Sequence, residues 1–522
     1  MGFAGCHTSG VAPSDAGAKA TGTALAPSWT TPIDGGAPAV LAIGHNTVWS
    51  RGGLGMWNDT THAVDPTVLS LTTALAPPVL RFPGGTRAMR YHFAQAIGPL
   101  AARVPQCDPF TGTTDPTGYG IDEFMSVAET LGADVTLVMP WVDGSPQEFA
   151  AFVAYVNADP SSTVPIGKDL SGMDWGTAGS WGAERATNGH AAPYGVKFVE
   201  IGNETYSGLP VGPPTSCGRP SQFVQDERWV NGTAIPTTAK DYAGQLALTG
   251  ALIRAIDPSI QIGAPVPAQY DGVSDAAQAL GDVDSANKTS DPWAPRLLSD
   301  AASAFDFFVI HPYDFTSSDG RLQLAQEARK VMDDLHGLAP DKRIAVTEYG
   351  FLENGDTALN AVVSADMARI ALEEGAAFVT RHLLLEDDLD DPFATCALIG
   401  GADHRLSPAY GLEEELARVV PGASRVAVSS PETDVEFLPL VEADGSLALV
   451  SIDRRDQPDG GTAFSVSLPA GTWIAATDTM APSSVYSTTA AFGDGGTVSD
   501  VTGTLEVTLP PNGIAVSRMK RE

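Results

Sequence analysis

Between about residue 40 and residue 400 the chain repeats one pattern eight times: a short apolar run, then a stretch whose apolar residues recur at helical spacing. The runs are Ala39–Ile43, Pro78–Phe82, Asp134–Met139, Lys197–Ile201, Ile260–Gly263, Phe307–Ile310, Ile344–Thr347 and Val379–Leu385. Strands that are apolar along their whole length suit a parallel sheet buried on both faces. Eight of them is the number that closes a (β/α)8 TIM barrel. Ile121, Phe124, Met125, Ala128 and Leu131 fall on one helical face, and Gly132 is placed to end that helix. Tyr242 to Ile256 reads the same way and stops before Pro258.

After about Tyr410 the character changes. Short alternating or apolar runs (447–452, 463–468, 503–509 and 513–516) are separated by Gly, Asp and Pro. The expectation is an α/β chain with a flexible N-terminal segment over 1–31, a catalytic barrel over 32–408 and a β-sandwich over 409–522. Part of the segment ahead of the barrel is a candidate to join the sandwich. The connection from Tyr206 to Thr238 is long and rich in Gly and Pro, and is expected to cap one face of the barrel.

The charge narrows the partners. The 63 acidic residues against 30 basic ones give a net charge of −33, which would repel nucleic acid and anionic lipid. No apolar stretch is long enough for a membrane-spanning helix. Cys6, Cys107, Cys217 and Cys396 show no CxxC spacing and no companion histidines, so no zinc site is expected. Cys107 and Cys217 would lie in loops at the same barrel face, where a disulfide is one option. Ala4-Gly5-Cys6 resembles the end of a bacterial lipoprotein signal, and a linker-like stretch follows it to about Thr31. That pattern favours a secreted or surface-anchored protein; an unstructured N-terminus with an incidental cysteine is the alternative. Oligomeric state leaves no trace in the sequence.

Two strand ends carry chemistry. The fourth run ends in Gly202-Asn203-Glu204 and the seventh in Thr347-Glu348-Tyr349. Functional side chains collect at the C-terminal ends of barrel strands, so these glutamates can face each other across one mouth. Glycoside hydrolysis needs such a pair, one carboxyl as acid/base and the other as nucleophile. No phosphate-binding Gly-rich loop and no serine elbow is present, and no cofactor or metal is expected.

The combination of Asn203-Glu204, His311-Pro312-Tyr313 and Thr347-Glu348 resembles the clan A glycoside hydrolases. Within that clan the closest resemblance is to the family 51 α-L-arabinofuranosidases. It is carried by Val79-Leu80-Arg81-Phe82-Pro83-Gly84-Gly85, by the segments at 97–99, 120–124 and 197–204, and by the terminal 509–514. The resemblance implies a retaining double displacement on a carbohydrate substrate, with Glu204 as acid/base and Glu348 as nucleophile, the carboxyls roughly 5–5.5 Å apart. A negative Glu348 would favour the protonated form of Glu204 in the first step. Arg81 would pair with Glu348, Tyr313 would donate a hydrogen bond to it, and Asn203 would hold the sugar 2-hydroxyl. His311 would line the sugar site or orient Glu204. Trp141, at the end of the third run, would stack on a sugar or simply pack in the core. Asn46 stands with these as a candidate substrate-binding residue.

The likeness has gaps. Family 51 enzymes generally carry a glutamate shortly after the first strand, where this chain has Gly44-His45-Asn46-Thr47-Val48-Trp49-Ser50. Thr86 stands where they tend to have asparagine, and Thr-Glu-Tyr-Gly replaces Asp-Glu-Trp around the nucleophile. These differences bear on sugar specificity. They leave open a β-glucuronide, a β-xyloside, another furanoside or an endo-acting cleft. A non-catalytic carbohydrate-binding barrel would not need both glutamates, and a barrel lyase would need a Schiff-base lysine or a metal. The acidic run from Glu386 to Asp391 is read as a solvated lip, with calcium binding as the alternative.

Overall fold

The structure is a computed structural model that describes residues 24–32, 43–207, 210–211, 223–231, 233–268, 293–314, 320–351, 356–389, 396–428, 435–455, 461–484 and 486–522. Eight parallel strands close into a barrel in sequence order, the fourth pairing with the third to complete the ring. They run Ile43–Asn46, Val79–Phe82, Asp134–Val138, Phe198–Glu200, Gln261–Pro265, Phe307–Ile310, Arg343–Val346 and Val379–Arg381.

Two strands depart from expectation. The first begins at Ile43 and runs on to Asn46, while residues 39–42 lie outside the described residues. The eighth stops at Arg381 rather than Leu385. Leu383 and Leu384 are buried in the connection that follows, with Leu384 N donating to Asn46 O at 3.0 Å, and Leu385 opens a separate short strand, Leu385–Glu386, paired with Ile399–Gly400. An apolar run marks burial, not which sheet it joins.

A helix follows each strand, and local chemistry sets the ends. Pro66–Ala74 starts at Asp65, whose side chain accepts from Thr67 N and Val68 N. Ile121–Leu131 ends at Gly132, whose φ of 68° needs a residue without a Cβ. Ala239–Ile256 begins at Thr238, whose hydroxyl accepts from Asp241 N. At the N-terminal end of the barrel, Phe198, Phe307 and Phe378 meet edge to face and tilted at 4.9–6.2 Å and plug the interior. The polar side chains Arg81, Thr136, Glu200 and Thr347 fill the other end.

The second module is two sheets packed on a common core. Seven strands line up in the order Pro27–Pro32, Ser424–Val428, Val435–Val441, Leu447–Asp453, Ile514–Arg521, Trp473–Met480 and Phe492–Val501. Ala24–Leu25, Thr462–Ser467 and Thr504–Leu509 form the facing sheet. Leu25, Trp29, Leu449, Phe464, Trp473 and Leu509 meet between them. Residues 24–32 are therefore sandwich strands, so the flexible N-terminal segment expected over 1–31 does not extend through 24–31. Trp29 explains the difference: it is 7% exposed and its indole Nε1 donates to Ser467 O at 2.7 Å.

Buried charge joins the two modules. Arg454, on the sandwich, donates to Asp366 of a barrel helix at 2.6 Å and to Glu436 at 2.8 Å. Among the described residues, no helix is long and apolar enough to cross a membrane.

Candidate active site

Arg81 is the hub. Its strand ends at the barrel mouth, and its guanidinium is fully buried. Nε donates to both oxygens of Glu200 at 3.1 and 3.0 Å, Nη1 to Glu348 Oε1 at 2.5 Å, and Nη2 to Asn203 Oδ1 at 2.8 Å. A planar fork of fixed donors can hold three partners in one arrangement, which a lysine cannot.

Glu348 sits two residues past the end of strand seven and is 5% exposed. Its second oxygen accepts from the Tyr313 hydroxyl at 2.7 Å. Burial opposes its charge, but His311, Arg81 and His382, together with the Tyr313 hydrogen bond, outweigh that and hold its carboxyl well below the usual carboxylate range. The Tyr313 hydroxyl is pushed well up by burial and by Glu348, so it stays a donor. An ionised, doubly held carboxylate is what a nucleophile requires.

Room for it comes from Gly85, at the end of the Pro-Gly-Gly turn. A Cβ there would run into Glu348 Oε1.

Glu204 follows strand four through a sharp turn. Gly202 has φ 86° and Glu204 itself φ 42°, a conformation that a side chain with a Cβ rarely adopts. The turn is held by the Tyr242 hydroxyl, which donates to Ile201 O at 2.8 Å. Glu204 Oε1 lies 3.2 Å from His311 Nδ1, and Glu204 Oε2 accepts from Gln225 Nε2 at 3.1 Å. One oxygen of Glu204, one of Glu348 and a His311 nitrogen all lie within 4.8 Å of one another. That trio has the donor types of a cation site, but its atoms already face partners within the protein.

The remaining expected residues divide. Asn203 is brought in, bridging Arg81 and Gln225. His311 is brought in and also faces Thr347 Oγ1 at 2.9 Å. Asn46 reaches the site edge, its Nδ2 3.3 Å from His382 Nδ1. Trp141 does not present a ring face. It is 1% exposed, packed 4.8 Å from Tyr242 and under the Arg228 guanidinium, with Nε1 bonded to Thr237 Oγ1 at 2.9 Å. It props the cap rather than offering the sugar platform.

Three residues escaped sequence reading. Glu200 looks like a strand residue, yet it anchors Arg81. Gln225 lies in the long connection, which has no periodicity to read. His382 follows strand eight, 3.8 Å from Glu348 Oε2, and the strand-end rule that singled out Glu204 would have found it.

Of the acidic run, Asp387 pairs with Arg51, and 390–391 lie outside the described residues. Cys107 is disulfide-bonded, to a partner outside the described residues. Cys6 and Cys217 lie outside them too.

The comparisons follow the same lines. The sequence model of the alpha-L-arabinofuranosidase 1 domain matches residues 71–212, from the helix after strand one past Glu204. The chain is 26% identical over 255 residues to alpha-L-arabinofuranosidase C of Emericella nidulans, a match covering 48% of this chain and 40% of that protein. It is 23% identical over 246 residues to an intracellular exo-alpha-(1->5)-L-arabinofuranosidase of Halalkalibacterium halodurans, covering 47% and 38%. The chain thus spans only about two fifths of the length of the curated relatives it matches.

In fold the likeness is broader. The family 51 arabinofuranosidase of Xanthomonas axonopodis pv. citri superposes with a TM-score of 0.71 at 17% identity, over 95% of this chain and 99% of that one. The Bifidobacterium longum family 51 enzyme gives 0.73 at 16% identity, over 95% and 99%. The fold is therefore the (β/α)8 barrel with β-sandwich of the solved family 51 arabinofuranosidases. In sequence, the barrel resembles the arabinofuranosidases.

Proposed function

We propose that the chain is a retaining glycoside hydrolase that removes α-L-arabinofuranosyl units from a polysaccharide or oligosaccharide. The observation that carries this reading is the approach of Glu204 and Glu348 to within 4.8 Å, oxygen to oxygen, at the ends of strands four and seven. An inverting pair needs room for a water between the carboxyls, roughly 6.5–9.5 Å, and this site is tighter. Glu348, ionised and held by Arg81 and Tyr313, attacks the anomeric carbon. Glu204 gives its proton to the departing oxygen, and the sugar is left esterified on Glu348. Glu204 then takes a proton from water as that water cleaves the ester. The names of the matched relatives support the sugar.

Asn46, in place of an acid after the first strand, gives this site its own contact to the sugar hydroxyls. The Halalkalibacterium halodurans and Bacillus subtilis relatives are named intracellular, so they lend no support to export.

Release of nitrophenol from a panel of nitrophenyl arabinofuranosides, galactofuranosides, xylosides, glucuronides and glucosides tests the reading. The expected result is turnover of the α-L-arabinofuranoside, lost in Glu348→Ala. Turnover of a pyranoside alone would overturn the sugar assignment. Undiminished activity in Glu348→Ala would overturn the mechanism.

A further inference from the structure

The cap over the barrel mouth contributes a side chain that the double displacement as written does not use. Gln225 stands just before the hairpin of Glu227–Val230 and Thr233–Pro236 and is 3% exposed. Its amide orientation is forced by a chain of donors. Arg81 can only donate, so Asn203 must receive it through Oδ1, at 2.8 Å. Asn203 Nδ2 is then the end that faces Gln225 Oε1, at 2.8 Å. Gln225 Nε2 is left to donate to Glu204 Oε2, at 3.1 Å.

From the other side, Thr347 Oγ1 donates to Glu200 Oε2 at 3.2 Å, so it accepts from His311 Nε2 at 2.9 Å. His311 Nδ1 therefore faces Glu204 Oε1 across 3.2 Å. Glu200 closes the ring on Arg81 Nε.

We infer that Gln225 is a positioning residue for the general acid: by donating to Glu204 Oε2 it assigns the transferable proton to Oε1, the oxygen beside His311. This rests on the glycosidase reading above. The proton lies between Glu204 Oε1 and His311 Nδ1 in the free enzyme. It passes from Oε1 to the leaving oxygen as the bond from that oxygen to the anomeric carbon breaks, the bonding pair staying on the oxygen, while Glu348 forms its ester. Without the Gln225 amide, Oε2 competes for the proton and the acid is held from one side only.

The mount is rigid. Asp226 O accepts from Thr237 N at 2.6 Å, and Trp229 N donates to Val142 O at 2.5 Å. Arg228 is bidentate to Asp241 at 2.9 and 2.7 Å.

The test uses the full chain and two aryl arabinofuranosides, one with a leaving group that needs protonation (phenol) and one that does not (2,4-dinitrophenol). In Gln225→Met, kcat/KM for the phenyl substrate should fall about 10- to 100-fold, while the dinitrophenyl substrate changes by less than about threefold. Gln225→Glu, of the same size, should recover phenyl activity only at acid pH, where the new carboxyl is protonated and can donate. An equal loss on both substrates, or a Gln225→Glu pH profile identical to the wild type, would overturn the assignment. If the wild-type chain hydrolyses neither arabinofuranoside, the sugar reading has failed. The same pair on the sugar that is turned over then decides the role of Gln225.

Discussion

Arg81 and Glu348 are separated by 2.5 Å between Nη1 and Oε1, and the same guanidinium reaches Glu200 and Asn203. One buried side chain thus helps, with His311, to hold the charge of Glu348, the proposed nucleophile, and fixes the orientation of Asn203 beside Glu204, the proposed acid. Arg81→Lys keeps a positive charge but loses the fork. Turnover should fall by at least about 10²-fold, because the acid and the nucleophile lose their common reference. Glu200, left in the barrel interior with fewer donors, should also cost stability, on the order of 3 kcal/mol. Steady-state rates and a thermal melt on the same preparation check both effects.

Gly85 makes a narrower prediction. Its φ of −78° with ψ −110° falls outside the α and β regions open to a residue with a Cβ, so Gly85→Ala carries a backbone cost as well. The added methyl would collide with Glu348 Oε1. Activity should drop about 10²-fold, the cost of misplacing a reacting group by about an ångström, and the melting temperature should fall too, since the backbone strain costs about 1–3 kcal/mol. A fully active Gly85→Ala would mean that the nucleophile is not where the structure puts it.

Trp141 separates a sugar platform from a cap support. Trp141→Phe keeps an aromatic face but loses the bond to Thr237. KM should stay close to the wild type, while the segment 225–237 should exchange its amide hydrogens faster. A large rise in KM with unchanged exchange would restore the stacking role.

His45 predicts a pH dependence of stability. It is buried on the first strand, and burial, with Arg381 nearby, pushes its imidazole down to about 3. Between the ordinary histidine value of about 6.5 and that value, the unfolded chain binds a proton that the folded chain refuses. Stability attributable to His45 is therefore complete above about pH 6.5 and falls by up to about 1.4 kcal/mol per unit as pH drops through the window. His45→Gln should flatten that slope, whatever its stability at neutral pH. Urea melts at several pH values compare the two slopes.

The barrel was legible because parallel strands covered on both faces leave unbroken apolar runs. Glu204 and Glu348 were legible because each breaks its run at the strand end. Where burial and barrel pairing part company the reading slipped, as at Leu383 to Leu385, which are buried past the end of strand eight, Leu385 in a separate short strand. The sandwich strand Phe492–Val501 had no signal at all, since nearly all of it is exposed on a sheet edge. Glu200 and Gln225 were beyond reach for a different reason. Their roles exist only once the closed barrel brings Arg81, and the cap brings the amide, to within hydrogen-bond distance. Trp141 shows the converse, a strand-end aromatic spent on holding the cap.

The central claim is that Glu348 carries the sugar between the two steps. Intact-protein mass spectrometry of Glu204→Ala, mixed with 2,4-dinitrophenyl α-L-arabinofuranoside, tests it most directly. The leaving group needs no acid and the variant lacks the base for the second step, so the ester should accumulate. The predicted result is a mass increase of one arabinosyl unit, mapped by peptide digestion to Glu348 and absent in Glu204→Ala/Glu348→Gln. Release of dinitrophenol with no labelled protein, or a label on another residue, would contradict the account.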